Sequence, residues 1–209
     1  MPDLRALGAL TVPVVAVGER WVSAASLDHV ADLVGIDRSG HRMLAPVELV
    51  EKYDAIFAAA QRYLRVFPQE KMGMTVPRRD KRGMRELGYH VFQIADDLMT
   101  VRDGDTYLQG NAPAPGGIQT FDQIVAYGDG VRNRLRDWYA EQPSQLWRET
   151  RTTSYGAFPM HLYLERATWH SGQHSRQIVE MLRLAGIEAP NPLPQSFFEG
   201  LPLPAGIWE

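Results

Sequence analysis

The chain has 209 residues, which allows one domain or one and a fraction and is long enough to bury a core without disulfides. It contains no cysteine, which excludes zinc fingers, iron–sulfur clusters and a cysteine nucleophile, so any protein-held metal must use His, Asp or Glu. Its 22 Lys and Arg against 25 Asp and Glu give a formal charge of −3, which argues against a nucleic-acid-binding protein.

The first 36 residues predict a small segment with strands and a helix. Its elements, in order, are the end of a helix at residues 4–7, strands at 11–17 and 21–23, and a helix from Ser26 to Gly35. We see no signal peptide at the start and no apolar run near the ~20 residues that span a bilayer. We therefore expect a cytoplasmic protein with no membrane partner.

The remainder predicts four long amphipathic helices. They cover about Pro46–Phe67, Asp80–Val101, Thr120–Glu141 and Pro159–Ala185. Apolar residues recur in steps of three and four, as in a bundle helix, so we predict a mainly α protein built on a four-helix bundle. Gly128 lies on one of these apolar stripes and either permits close helix packing or leaves room for a ligand.

Proline and aromatic residues distinguish the C-terminal segment from the bundle. Its prolines exclude a helix, and its large aromatic residues indicate that it is held against the bundle. We therefore divide the chain into residues 1–36, a linker at 37–46, the bundle at 47–187 and a tail at 188–209.

Three histidines are candidate metal ligands. His170 and His174 are four residues apart on the fourth helix, at positions that the apolar period assigns to the core, so they can present two imidazoles to one ion. His90 lies at the edge of the core face of the second helix and can supply a third nitrogen. A divalent ion held this way keeps positions open for water or substrate. Periodicity alone leaves the alternative of hydrogen-bonded structural histidines open.

Two carboxylates lie on the same flank as His90. Glu86 is one turn before it and Asp97 is seven residues after it. Either could accept a hydrogen bond that fixes the imidazole tautomer. The alternative, which the pattern favours, is that both belong to a solvated helix face.

The fourth helix resembles the last helix of the DinB-like superfamily. The resemblance rests on Trp169 to Ile187, with His170-x-x-x-His174 followed by a Leu-rich turn ending in Gly, and on His90 within Gly88 to Phe92. It covers about residues 45–187 and implies a four-helix bundle, commonly a homodimer, in which His90, His170 and His174 bind zinc, nickel, manganese or iron. Characterised members of that family include thiol transferases and isomerases that use low-molecular-weight thiols.

The N-terminal segment is similar to the C-terminal half of a glutaredoxin. Residues 7–15 contain Thr11-Val12-Pro13, a turn and short strand follow at 18–23, and Ser26-Leu27-Asp28 opens a helix. The resemblance makes Val12, Pro13 and Asp28 thiol-docking candidates. The redox cysteines of that family are absent, and a docking or dimerisation element is the alternative role.

Together these features predict a metal-dependent enzyme of thiol chemistry. We expect zinc as the cofactor, glutathione or a similar thiol as the partner, and glutathione S-transfer or thiol-dependent isomerisation of a small electrophile as the reaction. No residue of the chain is assigned as a catalytic group. The alternatives are a metal-dependent hydrolase that activates water and a non-catalytic metal-binding protein.

Overall fold

The computed structural model describes residues 8, 14–24, 26–37, 43–102, 113–153 and 156–208. Within these ranges four long helices form a bundle, and three short antiparallel hairpins lie outside it. The predicted fold class, a mainly α four-helix bundle with a small N-terminal segment of strands and a helix, is confirmed. None of the described helices is long and apolar enough to cross a membrane.

The N-terminal segment contains the hairpin and the capped helix that its sequence predicts. Strand β1 (Val14–Val17) pairs with β2 (Arg20–Ser23) around a turn at Gly18. Helix α1 (Leu27–Val34) begins after Ser26, whose Oγ accepts a hydrogen bond from the His29 amide at 3.3 Å. The predicted helical turn at residues 4–7 lies outside the described residues, and the likeness to a glutaredoxin stays a prediction.

Two of the four bundle helices run in one direction along the bundle and two run in the opposite direction. They are α2 (Pro46–Val66), α3 (Met84–Arg102), α4 (Phe121–Ala140) and α5 (Met160–Leu184). Helices α2 and α5 end together, where Lys71 Nζ donates to the Ala185 carbonyl at 2.9 Å. Helices α3 and α4 begin at that same end, where Arg85 Nε donates to the Ile118 carbonyl at 2.6 Å. The order around the bundle is therefore α2, α5, α3, α4, with α2 and α5 antiparallel to the other two.

Most of the core comes from the apolar stripes of the four bundle helices. The largest fully buried side chains include Tyr53 and Phe57 of α2, Phe92 of α3, Ile124 of α4 and Tyr163 of α5. Full burial of one such side chain stabilises the fold by roughly 1.5–3 kcal/mol. The helices are therefore fixed against one another by many contacts along their length.

Gly128 allows α4 to approach α3 closely. A Cβ atom at this position would lie 2.8 Å from the ring of Phe92, closer than van der Waals contact permits. Of the two roles open from the sequence, close helix packing is therefore the one that the structure supports.

Helix α3 begins later than the sequence predicts. The prediction placed its start near Asp80, but residues Arg79–Gly83 form strand β4, which pairs with β3 (Thr75–Val76). The helix starts at Met84 because Gly83 ends the strand and its amide donates to Glu86 Oε2 at 3.2 Å, in the first turn of the helix. The basic residues of this segment are thereby placed on a hairpin beside the end of the bundle.

Two further segments cover the bundle. Strands β5 (Thr150–Thr153) and β6 (Gly156–Pro159) form a hairpin between α4 and α5. In the C-terminal tail, Phe198 and Leu201 are buried in the core. The amide of Leu193 donates to the Tyr63 hydroxyl at 3.0 Å. These contacts fix the tail along α2 and α5.

Candidate metal centre

The three histidines lie at the interface between α3 and α5. His90 is 2% exposed and His174 is 8% exposed, whereas His170 is partly exposed. Ser171 fixes the two helices at this level, because its hydroxyl donates to the Val91 carbonyl at 2.8 Å. The residue after His170 on α5 is therefore tied to the residue after His90 on α3, which brings the three imidazoles together.

The imidazoles form one compact cluster. Ring centroids are 4.9 Å apart for His90 and His174, 5.4 Å for His90 and His170, and 4.7 Å for His170 and His174. One ring nitrogen from each histidine lies within 4.8 Å of the other two. Three neutral nitrogens at this spacing could hold a single divalent ion with small side-chain adjustments.

Glutamine side chains determine the tautomers of two of these rings. His90 Nδ1 pairs with Gln93 Oε1 at 3.2 Å, and His174 Nδ1 pairs with Gln177 Oε1 at 2.7 Å. An amide oxygen can only accept, so Nδ1 carries the proton and Nε2 presents a lone pair. Both Nε2 atoms are buried and have no hydrogen-bond partner within the part of the chain that the structure describes.

An unpaired buried acceptor costs about 1–3 kcal/mol, so two of them side by side need a physical reason. A divalent ion between the rings would satisfy both lone pairs. The donor set is also the one that zinc and other first-row divalent metals accept. The residues present therefore fit a metal ion.

Burial keeps the three rings neutral. Burial, with the positive charge of Arg82, lowers the pKa of His90 to about 4. Burial, with the neighbouring His90, lowers the pKa of His174 to about 3. The pKa of His170 is lowered well below its usual value by burial and then by His174. Neutral imidazole is the form that ligates metals, so no proton has to leave at neutral pH.

The basic hairpin adds positive charge beside the cluster. The charge of Arg82 lowers the pKa of all three histidines, and that of Arg79 lowers the pKa of His174. Both arginines lie on β4, Arg79 five residues and Arg82 two residues before α3 begins at Met84. An anion that reached the cluster would therefore enter a favourable potential.

The two predicted carboxylates have other surroundings. Glu86 pairs with Arg85 at 2.9 Å and accepts from the Gly83 amide, so it stabilises the start of α3. Asp97 Oδ2 is buried and has no hydrogen-bond partner among the described residues. Burial, with the nearby charge of Asp96, raises the pKa of Asp97 to about 6. The acceptor that His90 uses is Gln93, which the sequence analysis did not name.

The predicted thiol-docking residues are not joined to the cluster. Val12 and Pro13 lie outside the described residues. Asp28 is exposed and lines a cavity of about 460 Å³ together with Arg148 and His161. His161 is nine residues before His170, which at ~100° per residue puts the two on opposite faces of α5. The cavity and the histidine cluster are therefore separate.

A repeated spacing in the sequence marks the two glutamines. All three histidines are followed three residues later by glutamine, as Gln93, Gln173 and Gln177, and of these Gln93 and Gln177 pair with the preceding ring. Residues three apart on a helix are neighbours, so each glutamine can reach the ring that precedes it. This signal was available from the sequence, although a glutamine on a helix usually faces solvent.

No protein-family model and no curated protein matches the sequence. Among solved structures, the chain is similar to the crystal structure of the mycothiol-dependent maleylpyruvate isomerase. The two share 18% sequence identity with a TM-score of 0.45, and the match covers 75% of this chain and 68% of that one. The assignment of the histidine cluster therefore rests on the geometry of this chain.

Proposed function

We propose that this protein is a metal-dependent enzyme of thiol chemistry. His90, His170 and His174 would bind zinc, and glutathione or a similar low-molecular-weight thiol would be the partner. The reaction would be S-transfer to, or thiol-dependent isomerisation of, a small electrophile. The observation that carries the proposal is the pair of buried Nε2 atoms of His90 and His174, which have no partner in the described ranges and whose tautomers are fixed, beside a third histidine.

The metal ion would activate the thiol, and residues of the chain would hold the ion and place positive charge beside it. Bound zinc lowers the pKa of a coordinating thiol, so that a thiolate exists at neutral pH. The chain offers no cysteine of its own, so the thiol has to arrive with the partner molecule. The arginines of β4 add positive charge that favours a thiolate over a thiol. His170 is the one partly exposed residue of the three, so we expect a ligand to approach the cluster from its side.

The metal site is tested by elemental analysis of the purified protein after zinc loading and desalting. We expect about one zinc per chain in the wild type and almost none in the His170→Ala/His174→Ala variant. His29→Ala is the matched control, because His29 is exposed on α1 and belongs to no such cluster among the described residues. Full zinc content in the double variant would remove the proposed site.

The thiol is tested by calorimetry on the zinc-loaded protein. Glutathione should bind with release of a proton, whereas S-methylglutathione, which has no free thiol, should bind much more weakly. No binding of glutathione would reject it as the partner, and equal binding of both compounds would reject coordination through sulfur.

Asp28→Asn tests the docking role predicted for the N-terminal segment. Weaker glutathione binding with unchanged zinc content would support that role, and unchanged binding would remove it. The proposed homodimer is tested by light scattering of the same preparation, where the mass of a single chain would contradict it.

A further inference from the structure

The last residues of the tail are held by side chains of α5. Arg176 Nη1 donates to the Pro204 carbonyl at 3.0 Å. Gln173 Nε2 donates to the carbonyls of Gly206 at 2.9 Å and Ile207 at 2.7 Å. We call residues 204–208 the C-terminal strap. Its backbone carbonyls thus lie along the part of α5 that carries His174.

Gln177 connects the strap to the histidine cluster. Its Nε2 donates to the Ile207 carbonyl at 2.8 Å, and its Oε1 accepts from His174 Nδ1 at 2.7 Å. A carbonyl can only accept, so the amide nitrogen must face Ile207 and the amide oxygen must face the ring. The strap therefore determines which end of the amide His174 meets, and with it which ring nitrogen keeps its lone pair.

We propose that the C-terminal strap is part of the metal centre, with Gln177 as the positioning residue that couples it to His174. The Ile207 carbonyl orients Gln177, Gln177 holds the proton of His174 on Nδ1, and Nε2 is left directed at the cluster. Binding of a divalent ion by His174 and docking of the strap then stabilise each other. This inference rests on the proposed metal site and goes beyond it, because it adds a segment far from the histidines in sequence.

The two glutamines of α5 provide a matched pair of variants. Gln177→Met removes the hydrogen bond to the Ile207 carbonyl and the acceptor of His174. Gln173→Met removes hydrogen bonds to the Gly206 and Ile207 carbonyls but leaves the His174 ring untouched. Zinc affinity is measured on the full chain by competition with a chelating indicator. We expect Gln177→Met to weaken zinc binding roughly 10-fold or more and Gln173→Met to change it less than about 3-fold.

Two further measurements separate positioning from general loosening of the fold. Gln177→Glu keeps an acceptor for His174 Nδ1 but cannot donate to Ile207, so zinc affinity should recover while the coupling is lost. Hydrogen exchange of the peptide covering residues 198–208 reports the coupling, because the Leu201 and Leu203 amides are hydrogen-bonded there. Zinc should slow this exchange in the wild type and in Gln173→Met, but not in Gln177→Glu.

The outcomes distinguish this inference from the proposed function. If the wild type binds no zinc, the proposed metal site and the proposed role of the strap are both wrong. If the wild type binds zinc but Gln177→Met matches Gln173→Met in affinity, or zinc leaves the exchange of residues 198–208 unchanged, the inference alone is wrong. The exchange measurement on the wild type needs no variant, so it can refute the inference even if Gln177→Met fails to fold.

Discussion

Replacing Asp97 with asparagine should stabilise the metal-free protein more at pH 7.5 than at pH 4. Burial, with the charge of Asp96, raises the pKa of Asp97 from 3.8 to about 6. The folded state therefore keeps a proton on Asp97 between pH 3.8 and about 6, where the unfolded chain has released it. Because the folded state binds more protons in this window, wild-type stability falls as the pH rises through it.

The size of the effect follows from the shift. A change from 3.8 to about 6 corresponds to at most about 3 kcal/mol, at ~1.4 kcal/mol per pKa unit. The carboxyl group retains contact with water, and screening reduces this to about 1–2 kcal/mol. Asparagine cannot titrate, so the stability of the variant does not decrease in this way as the pH rises. Any constant cost of burying the amide cancels when the two pH values are compared.

Urea unfolding with a chelator present, followed by circular dichroism, gives the free energy of unfolding at each pH. The advantage of Asp97→Asn over the wild type should be about 1–2 kcal/mol greater at pH 7.5 than at pH 4. Asp137→Asn, an exposed position on α4, should show no such difference. An equal effect of Asp97→Asn at both pH values would refute the assignment of a buried, uncompensated carboxyl group.

Packing makes two further predictions, both measured by urea unfolding at pH 7.5. Gly128→Ala should destabilise the fold by about 1–2 kcal/mol, because its Cβ would clash with the buried Phe92 ring. In the control Gly130→Ala on the same helix, the new Cβ meets only the flexible end of an arginine, so this variant should be neutral or stabilise the fold by up to about 1 kcal/mol. Equal effects of the two variants would contradict the close approach of α3 and α4. Phe198→Ala should lower the free energy of unfolding by about 3 kcal/mol, because Phe198 is 5% exposed. Phe197 is only half-buried, so Phe197→Ala should lower it by about 1 kcal/mol. A decrease under about 1 kcal/mol for Phe198→Ala would mean that the tail is not part of the core.

Helix positions could be predicted from the sequence wherever local signals determine them. Helix α4 begins at Phe121, one residue after the predicted start near Thr120, because Thr120 accepts from the Gln123 amide and Gln123 reaches back to the Thr120 amide. The start of α3 was predicted wrongly because residues 79–83 pair with Thr75–Val76, and their polar sequence shows neither the strand alternation nor the cap that would reveal this. A short hairpin of this kind depends on tertiary contacts and not on local propensity.

The site was predictable to the extent that helix geometry determines it. The spacing of His170 and His174 places both imidazoles on the core face of α5, whatever the rest of the chain does. The position of His90 beside them depends on how α3 packs against α5, which periodicity cannot give; periodicity placed His90 only at the edge of the core face of its helix. The strap contacts were not predictable, because backbone carbonyls such as that of Ile207 have no sequence signature.

Without a bound ion, the histidine cluster is an energetically unfavourable filling for a helix interface. Two Nε2 atoms are buried without a hydrogen-bond partner among the residues that the structure describes, and each costs about 1–3 kcal/mol relative to an apolar side chain of similar size. Leucine at these positions would pack into the same core without that cost, so the cluster opposes folding of the metal-free chain. A ligand that binds only the folded state adds RT ln(1 + [L]/Kd), which is ~4 kcal/mol at a thousand times Kd. That gain is of the same size as the cost of the two lone pairs, so the metal ion that we propose would offset the cost of burying three neutral imidazoles at this interface.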